Sequence, residues 1–404
     1  MRILQLNNRN EISKVMQDIK VDPYGIKIMS PKALTFLVRI DSLSNIAANI
    51  LKQETLSIGA DAAIARDALT GRAKTTGCLL MGNMSQFNRL SQKLSFQPFG
   101  LNKISLDLAN SLSNYQKDSF NLGLSRHRLK MNSGMPRIMG IINLTPDSFS
   151  GDGLYQPQAI SHMPPEAIVD HAQKMISDGA DIIDVGGEST RPQAKPVSLK
   201  EEIKRVLPAV KLLAKKIKAP LSIDTSKPQV AKIALDNGAG IINDITGLKN
   251  TDMLKVIARY KAGVVIMHMK GNPRTMQKNP RYVSLIDEII DFLDRSVNRA
   301  LSHGIHKSKI IIDPGIGFGK TTENNLEIIR RLKEFKVLGL PILVGTSRKS
   351  FIGNILQRVP SERIFGTIAT CVIAAENGAN ILRVHDVAEV KQALKITERV
   401  NAIC

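Results

Sequence analysis

Eight short apolar runs alternating with longer amphipathic stretches predict an α/β chain built as a (β/α)8 TIM barrel, preceded by a small α+β N-terminal domain. Three observations carry this expectation. The alternation begins near residue 137 and continues to the end of the chain. The apolar runs are nearly continuous and rich in β-branched residues, as parallel strands buried on both faces are. Polar residues gather at the C-terminal ends of those runs, and in a barrel these ends converge on one face. Eight βα units over about 265 residues match the count and length of such a barrel; an open doubly wound sheet is the alternative.

In order, the runs read RIMGIIN (137–143), DIIDVGG (181–187), PLSIDT (220–225) and GIINDI (240–245). They continue with GVVIMHM (263–269), KIIIDPG (309–315), PILVGTS (341–347) and NILRVHD (380–386). Between them lie helical patterns such as EAIVDHAQKMISDGA, PQVAKIALDNGA and VSLIDEIIDFLDRSVNRALSHG. Several end in a glycine shortly before the next run, the usual mark of a helix C-cap. Asn143, Glu188, Asp224, Asn243, His268, Asp313, Ser347 and His385 all fall at or just beyond the end of a run. Each alone reads as a turn or cap residue; together they mark one functional face.

At 404 residues the chain exceeds what a single core usually organises. Residues 1–134 have a different texture: short amphipathic pieces, then apolar KTTGCLLMG and a helical stretch to about residue 97. They read as an α+β domain of unknown role, joined near Gly134–Met135–Pro136 to a catalytic barrel over 135–404. The segment is too apolar for a disordered tail, and no catalytic constellation shows in it.

A hydrophobic content of 43% and a charged content of 23% are those of a globular chain. No run approaches the roughly 18 apolar residues needed to cross a bilayer, and the polar N-terminus lacks the apolar core of a signal peptide. A cytoplasmic protein without membrane partners is expected. Cys78, Cys371 and Cys404 are far apart and form no CxxC pair, which argues against disulfides or a zinc site. The net charge of +20 admits nucleic-acid binding or attraction of small anionic substrates. Basic residues are scattered or at helical spacing, as in Lys215–Lys216–Lys218, and there is no tryptophan. Small anions are therefore favoured over nucleic acid.

The run-end motifs suggest their chemistry. NLTPDSFSGDG places Asn143, an oxygen donor, at a strand tip and Asp147 in the following loop. Such donors beside a phosphate suit Mg²⁺, although an Asx turn explains the segment equally well. GGESTRP offers two hydroxyls and Arg191, able to grip a carboxylate or phosphate bidentately or simply to cap a turn. Asp224 and Asn243 are polar groups among apolar β residues, costly to bury unless they bind something, and together they suit the edge of a polar heterocycle. DPGIGFGK lacks both the dinucleotide and the P-loop spacing, leaving a tight loop with Asp313 at its root and Lys320 at its exit. GTSRKSF opens a helix suited to an anion. Arg383 and His385 are two apart on one strand face, a phosphate pairing. His268 and Met269, in MHMKGNPRTMQ, read as packing residues.

Taken together, INLTPDSFS, GGESTRP, SIDT, IND, MHMKGNPRTMQ, DPGIGFGK, SRKSF and RVHDV occur in the order in which they stand in dihydropteroate synthases. The chain resembles that folate-pathway family, the target of sulfonamides, over about residues 137–400. The family joins 6-hydroxymethyl-7,8-dihydropterin diphosphate to 4-aminobenzoate with Mg²⁺ and releases pyrophosphate. The resemblance implies that Asp224, Asn243, Asp313 and Lys349 hold the pterin, with Met267 lining its pocket and Arg383 flanking the ring. Arg383, His385, Asn143 and Thr190 would serve the diphosphate, with Asn143 also on the metal. Thr190, Arg191, Pro192, Phe318, Gly319 and Ser350 would form the aminobenzoate side. Asp224, Asp313, Lys349 and Arg383 would carry the catalysis, a dissociative substitution without a covalent enzyme intermediate.

The first loop departs from the family's common SFSDGG, because SFSGDG displaces Asp152 by one place. The N-terminal extension is similar to one in some bacterial members, where KQETLSIGADAA and LSFQPFGL recur. Two rivals share parts of the pattern. A corrinoid-linked pterin methyltransferase would need neither GGESTRP nor SRKSF, and a non-catalytic pterin-binding homologue would have no use for Asp224, Lys349 and Arg383 together. Wide apolar faces on IFGTIATCVIAAENG and AEVKQALKITERV, and the habit of the family, imply a homodimer.

Overall fold

The computed structural model describes every residue except 5, 7, 8, 71, 73, 125, 126, 133, 134, 146–164, 190–195, 274 and 402–404, and omits the side chains of 69 and 165. The described chain forms two compact units, Met1–Gln116 and Lys117–Ile403.

In the first unit, β1 (Thr35–Ser44), β2 (Asp61–Ile64) and β3 (Thr75–Asn83) form an antiparallel sheet in the order β1-β3-β2. One face alternates inward and is covered by α3 (Asn45–Ser57), α5 (Met84–Leu94) and α6 (Leu101–Tyr115). Leu51, Leu80, Phe87, Leu90, Leu94 and Leu101 are fully buried between them. Asn83 and Gln86 close a capping box at the start of α5, which satisfies amides the helix leaves unpaired. Short helices α1 (Arg9–Asp18), α2 (Pro23–Met29) and α4 (Arg66–Thr70) complete the unit, which is α+β as expected.

The second unit is the barrel. Its strands are β6 (Arg137–Asn143), β7 (Ile182–Gly186), β8 (Leu221–Asp224), β9 (Ile241–Asp244), β10 (Gly263–Met267), β11 (Ile310–Asp313), β12 (Leu343–Val344) and β13 (Ile381–Val384). Each lies inside one of the eight apolar runs. All pairs are parallel, in the order β11-β10-β9-β8-β7-β6-β13-β12. A bridge between Ile312 and Ile342 joins the two ends and closes the cylinder. The doubly wound alternative, which would leave two edges, is excluded.

Around the strands run α7 (Pro165–Asp178), α8 (Leu199–Lys216), α9 (Pro228–Asp236), α10 (Thr251–Tyr260), α11 (Leu285–Ser302), α12 (Thr322–Arg330), α13 (Ser350–Leu356), α14 (Ile364–Glu376) and α15 (Val387–Asn401). Outward-facing strand residues such as Ile138, Ile183, Ile223, Ile242, Val264 and Ile312 pack against their apolar stripes. The Lys215–Lys216 pair sits in the last turn of α8, and Glu201 and Glu202 sit in its first, the arrangement that complements a helix dipole. Among the described residues, no helix is long and apolar enough to cross a membrane.

Inward-facing residues separate into levels. At the N-terminal end, Met139, Ile182, Ile241, Val265, Ile311, Leu343 and Ile381 form an apolar floor. A hairpin of β4 (Ser119–Gly123) and β5 (Arg128–Asn132) plugs it from below with Phe120, Leu122, Leu124, Leu129 and Met131. An added Cβ at Gly263 would stand 2.9 Å from Leu124, so the plug and the strand end are fitted to each other. The compact barrel unit begins at Lys117 and so includes this hairpin. Above the floor the interior turns polar, with Asp184, Ser222 and Asn243 buried on adjacent strands.

Candidate active site

The polar level opens into a cleft of about 430 Å³ at the C-terminal ends of the strands. Asn143, Asp224, Phe318, Lys349, Ser350, Arg383 and His385, seven of the expected site residues, line it. Strand periodicity explains the convergence: alternate residues face the axis, so Arg383 and His385 both look inward from the end of β13.

The centre of the site is a buried ionic network. Arg383 donates from Nε to Asp184 Oδ2 at 2.7 Å and from Nη2 to Asp224 Oδ2 at 2.9 Å. Asn243 donates from Nδ2 to the same Asp184 oxygen at 3.2 Å. Burial pushes the Asp224 carboxyl up to about 7, against the pull of Arg383; the carboxylates of Asp184, Glu202 and Asp244 push the same way as burial. The guanidinium between two carboxylates is held charged above its ordinary range in spite of its burial.

On the next strands, Asp313 is buried at the root of its glycine loop and accepts from the Gly315 amide at 2.7 Å. Burial raises its carboxyl, while Lys349 and that amide lower it. Lys349 donates to the Ile316 carbonyl and stands 4.8 Å from the centre of the Phe318 ring. Burial lowers its ammonium to about 8, opposed by Asp313. The site thus sets the carboxylates of Asp224 and Asp313 near the cations of Arg383 and Lys349, with the flat Phe318 ring lining the cleft.

Asn243 and Met267 lie deeper than the cleft wall, both buried. Met267 joins Ile245, Met269 and Met276 in an apolar pad under Phe318. Gly319 packs backbone to backbone on Lys270, where a Cβ would meet the Lys270 carbonyl at 2.6 Å. Thr190, Arg191 and Pro192, together with Asp147 and Asp152, lie outside the described residues. Glu188 accepts from the Val197 amide at 2.9 Å and from Lys227 Nζ at 2.5 Å. The Arg348 guanidinium, an anion candidate in the sequence, is paired in a fork with Asp386 at 3.0 and 2.5 Å.

Two residues, Asp184 and Glu202, and one contact, Lys320 with His268, escaped the sequence reading. Asp184 is a carboxylate at the middle of an apolar run, the signal by which it was findable. Glu202, completely buried, accepts from Thr225 at 2.6 Å and from Lys227 at 2.5 Å, although it looked like one more helical glutamate. Lys320, also buried, lies 2.9 Å from Nδ1 of His268. Burial and the nearby lysines push that imidazole down to about 2, which favours its neutral form.

Among the described residues no group of three or more His, Cys, Asp or Glu side chains forms a metal cage. Asn143 is the oxygen donor at the end of β6, and its Oδ1 lies over Gly186, where an added Cβ would approach it to 3.5 Å. One neutral oxygen ligand at a strand tip suits an ion that keeps most of its waters, as Mg²⁺ does.

Residues 139–385 match the pterin binding enzyme family. A dihydropteroate synthase of Synechocystis is 47% identical over 265 residues, covering 65% of this chain and 89% of that protein. The chain belongs to the dihydropteroate synthase family. A solved dihydropteroate synthase of Xanthomonas albilineans with 4-aminobenzoic acid superimposes with a TM-score of 0.65 at 39% identity, over 71% of this chain and all of that one. A probable bifunctional folylpolyglutamate synthase/dihydropteroate synthase of Halobacterium salinarum is 36% identical over 394 residues. That match takes in 97% of this chain and 46% of the relative, so it runs through the N-terminal unit as well as the dihydropteroate synthase barrel.

Proposed function

We propose that this dihydropteroate synthase condenses 6-hydroxymethyl-7,8-dihydropterin diphosphate with 4-aminobenzoate by a dissociative substitution at the barrel mouth. The observation that carries the reading is the Asp184–Arg383–Asp224 network beside Lys349 and Asp313, with His385 and Asn143 on the same cleft wall.

In this reading Asp224, Asn243 and Asp313 accept from and orient the polar edge of the pterin, and Lys349 donates to it. Met267 and its neighbours support the ring plane. The bond between the pterin methylene and the diphosphate oxygen breaks with both electrons going to oxygen. The methylene carbon, conjugated to the ring, carries the developing positive charge, and the fixed carboxylates of Asp224 and Asp313 stabilise it. Arg383 and His385 stabilise the departing anion. Asn143 would hold Mg²⁺, which when bound would supply charge neutralisation for the leaving group. The amine of 4-aminobenzoate then forms the C–N bond and loses one proton to solvent; positioning does more for this step than a strong base. Phe318 and Ser350 line the part of the cleft assigned to the aminobenzoate, and Thr190, Arg191 and Pro192 complete that assignment by family resemblance.

The dissociative step is tested with pterin diphosphate carrying ¹⁸O in the bridging position, incubated with enzyme and Mg²⁺ but no aminobenzoate. Reversible ionisation scrambles the label into non-bridging positions. A label that stays in place through many turnover times would contradict the step.

The reading includes a homodimer. Phe365, Ala369 and Ile373 form an exposed stripe along α14, and Ile396 and Val400 extend an apolar surface on α15. Sedimentation at micromolar concentration should give twice the chain mass, and Phe365→Glu should return it to one.

A further inference from the structure

We propose that Ser347 is a positioning residue that locks His385 in the tautomer with its proton on Nε2, so that a donor is presented to the leaving diphosphate. The inference rests on the reading above in which His385 serves that group, and it adds a residue to which no role has been given.

The two residues are neighbours by register. β12 and β13 pair with Leu343 opposite Ile381 and Val344 opposite Leu382. Continuing that register past the strand ends sets Ser347 beside His385, and both line the cleft. Ser347 is buried, at 6% exposure. Its hydroxyl oxygen is 3.2 Å from the backbone nitrogen of His385 and 3.0 Å from Nδ1 of the same residue.

These two contacts are chemically unequal. The backbone N–H can only donate, so towards it the serine oxygen is an acceptor. The hydroxyl has one hydrogen left to place, and in a buried site that hydrogen needs an acceptor. Nδ1 is the acceptor within reach. If Nδ1 carried the proton instead, Ser347 would accept twice and its own hydrogen would be left unsatisfied. The hydrogen-bond arithmetic therefore assigns a bare Nδ1 and a protonated Nε2 to the neutral imidazole.

The consequence falls on the leaving group. As the C–O bond breaks, negative charge grows on the diphosphate oxygens, and a fixed N–H stabilises it better than in the ground state. A bare Nε2 would put a lone pair in the same place and oppose departure. Ser347 excludes that arrangement through its hydrogen bonds to His385.

The test uses full-length enzyme with ¹⁵N-labelled histidine, read by long-range ¹H–¹⁵N correlation, with the His385 signal assigned by its loss in His385→Gln. The wild-type signal should show the Nε2–H tautomer. Ser347→Thr, which keeps the hydroxyl, should retain it, and Ser347→Ala should move it towards the Nδ1–H form. Ser347→Ala should also lower kcat by about 10- to 100-fold, leave KM for 4-aminobenzoate unchanged, and be rescued by threonine. A wild-type Nδ1–H signal would overturn the proposal without recourse to any variant, as would an unaltered tautomer in Ser347→Ala. Full pyrophosphate release by His385→Gln would instead overturn the assignment of His385 to the diphosphate, leaving the tautomer result to stand by itself.

Discussion

Arg383 and Asp184 are joined by a 2.7 Å hydrogen bond at the centre of the barrel, and Asp184 is wholly buried. Asp184 also holds Asn243, so one carboxylate sets the position of two groups assigned to the pterin. Removing one partner of a buried charge pair leaves the other uncompensated. Asp184→Ala should lower stability by about 3 kcal/mol in denaturant unfolding. Asp184→Asn should keep the fold and lower kcat/KM for the pterin diphosphate by about 100-fold. Unchanged kinetics in Asp184→Asn would show that the clamp is structural only.

The two shifted groups of the site predict a narrow pH optimum. Asp224 works as a carboxylate, and burial raises it to about 7, so kcat/KM should rise as the pH increases through about 7. Lys349 works as an ammonium, and burial lowers it to about 8, so kcat/KM should fall as the pH passes about 8. In Lys349→Arg the guanidinium stays charged throughout. A pH–rate profile of that variant, with whatever activity it keeps, should lose the alkaline limb and preserve the acidic one.

Gly315 has φ +71° and an added Cβ would lie 1.9 Å from the His268 carbonyl oxygen, a backbone atom. Neither strain nor contact can be relieved by a side-chain rotation. Gly315→Ala should therefore destabilise the chain by more than about 2 kcal/mol and lower pterin affinity by displacing Asp313. Thermal unfolding and calorimetric titration with 6-hydroxymethylpterin check the two effects separately.

The hairpin beneath the barrel gives a prediction about truncation. A chain starting at Lys117 keeps Phe120, Leu122, Leu124, Leu129 and Met131 in the floor, whereas one starting at residue 135 exposes seven apolar strand residues. The longer truncated chain should give a folded, active barrel, and the shorter should aggregate. Equal solubility and activity of the two would contradict the role assigned to the plug.

Much of this was readable in the sequence because strand periodicity and strand-tip position are local properties. The runs ending at Asn143, Asp224, Asp313 and His385 place those side chains on one face by spacing alone. What local pattern does not carry is which distant charge a residue meets. Arg348 looks free for an anion in the sequence, and the fold brings Asp386 to it from 38 positions on. Glu202 lies in an ordinary helical first turn, and only folding brings Thr225 and Lys227 to it.

The account's central claim is that Asp224, Lys349 and Arg383 together drive diphosphate departure from a pterin. Pyrophosphate release by the full-length chain tests it most directly, with pterin diphosphate, 4-aminobenzoate and Mg²⁺ each supplied and each withheld. The account predicts release in step with dihydropteroate formation only when all three are present, and a loss of at least about 1,000-fold in Asp224→Ala. Release that persists in Asp224→Ala, or a wild-type chain that binds the pterin diphosphate under these conditions and releases nothing, would contradict it.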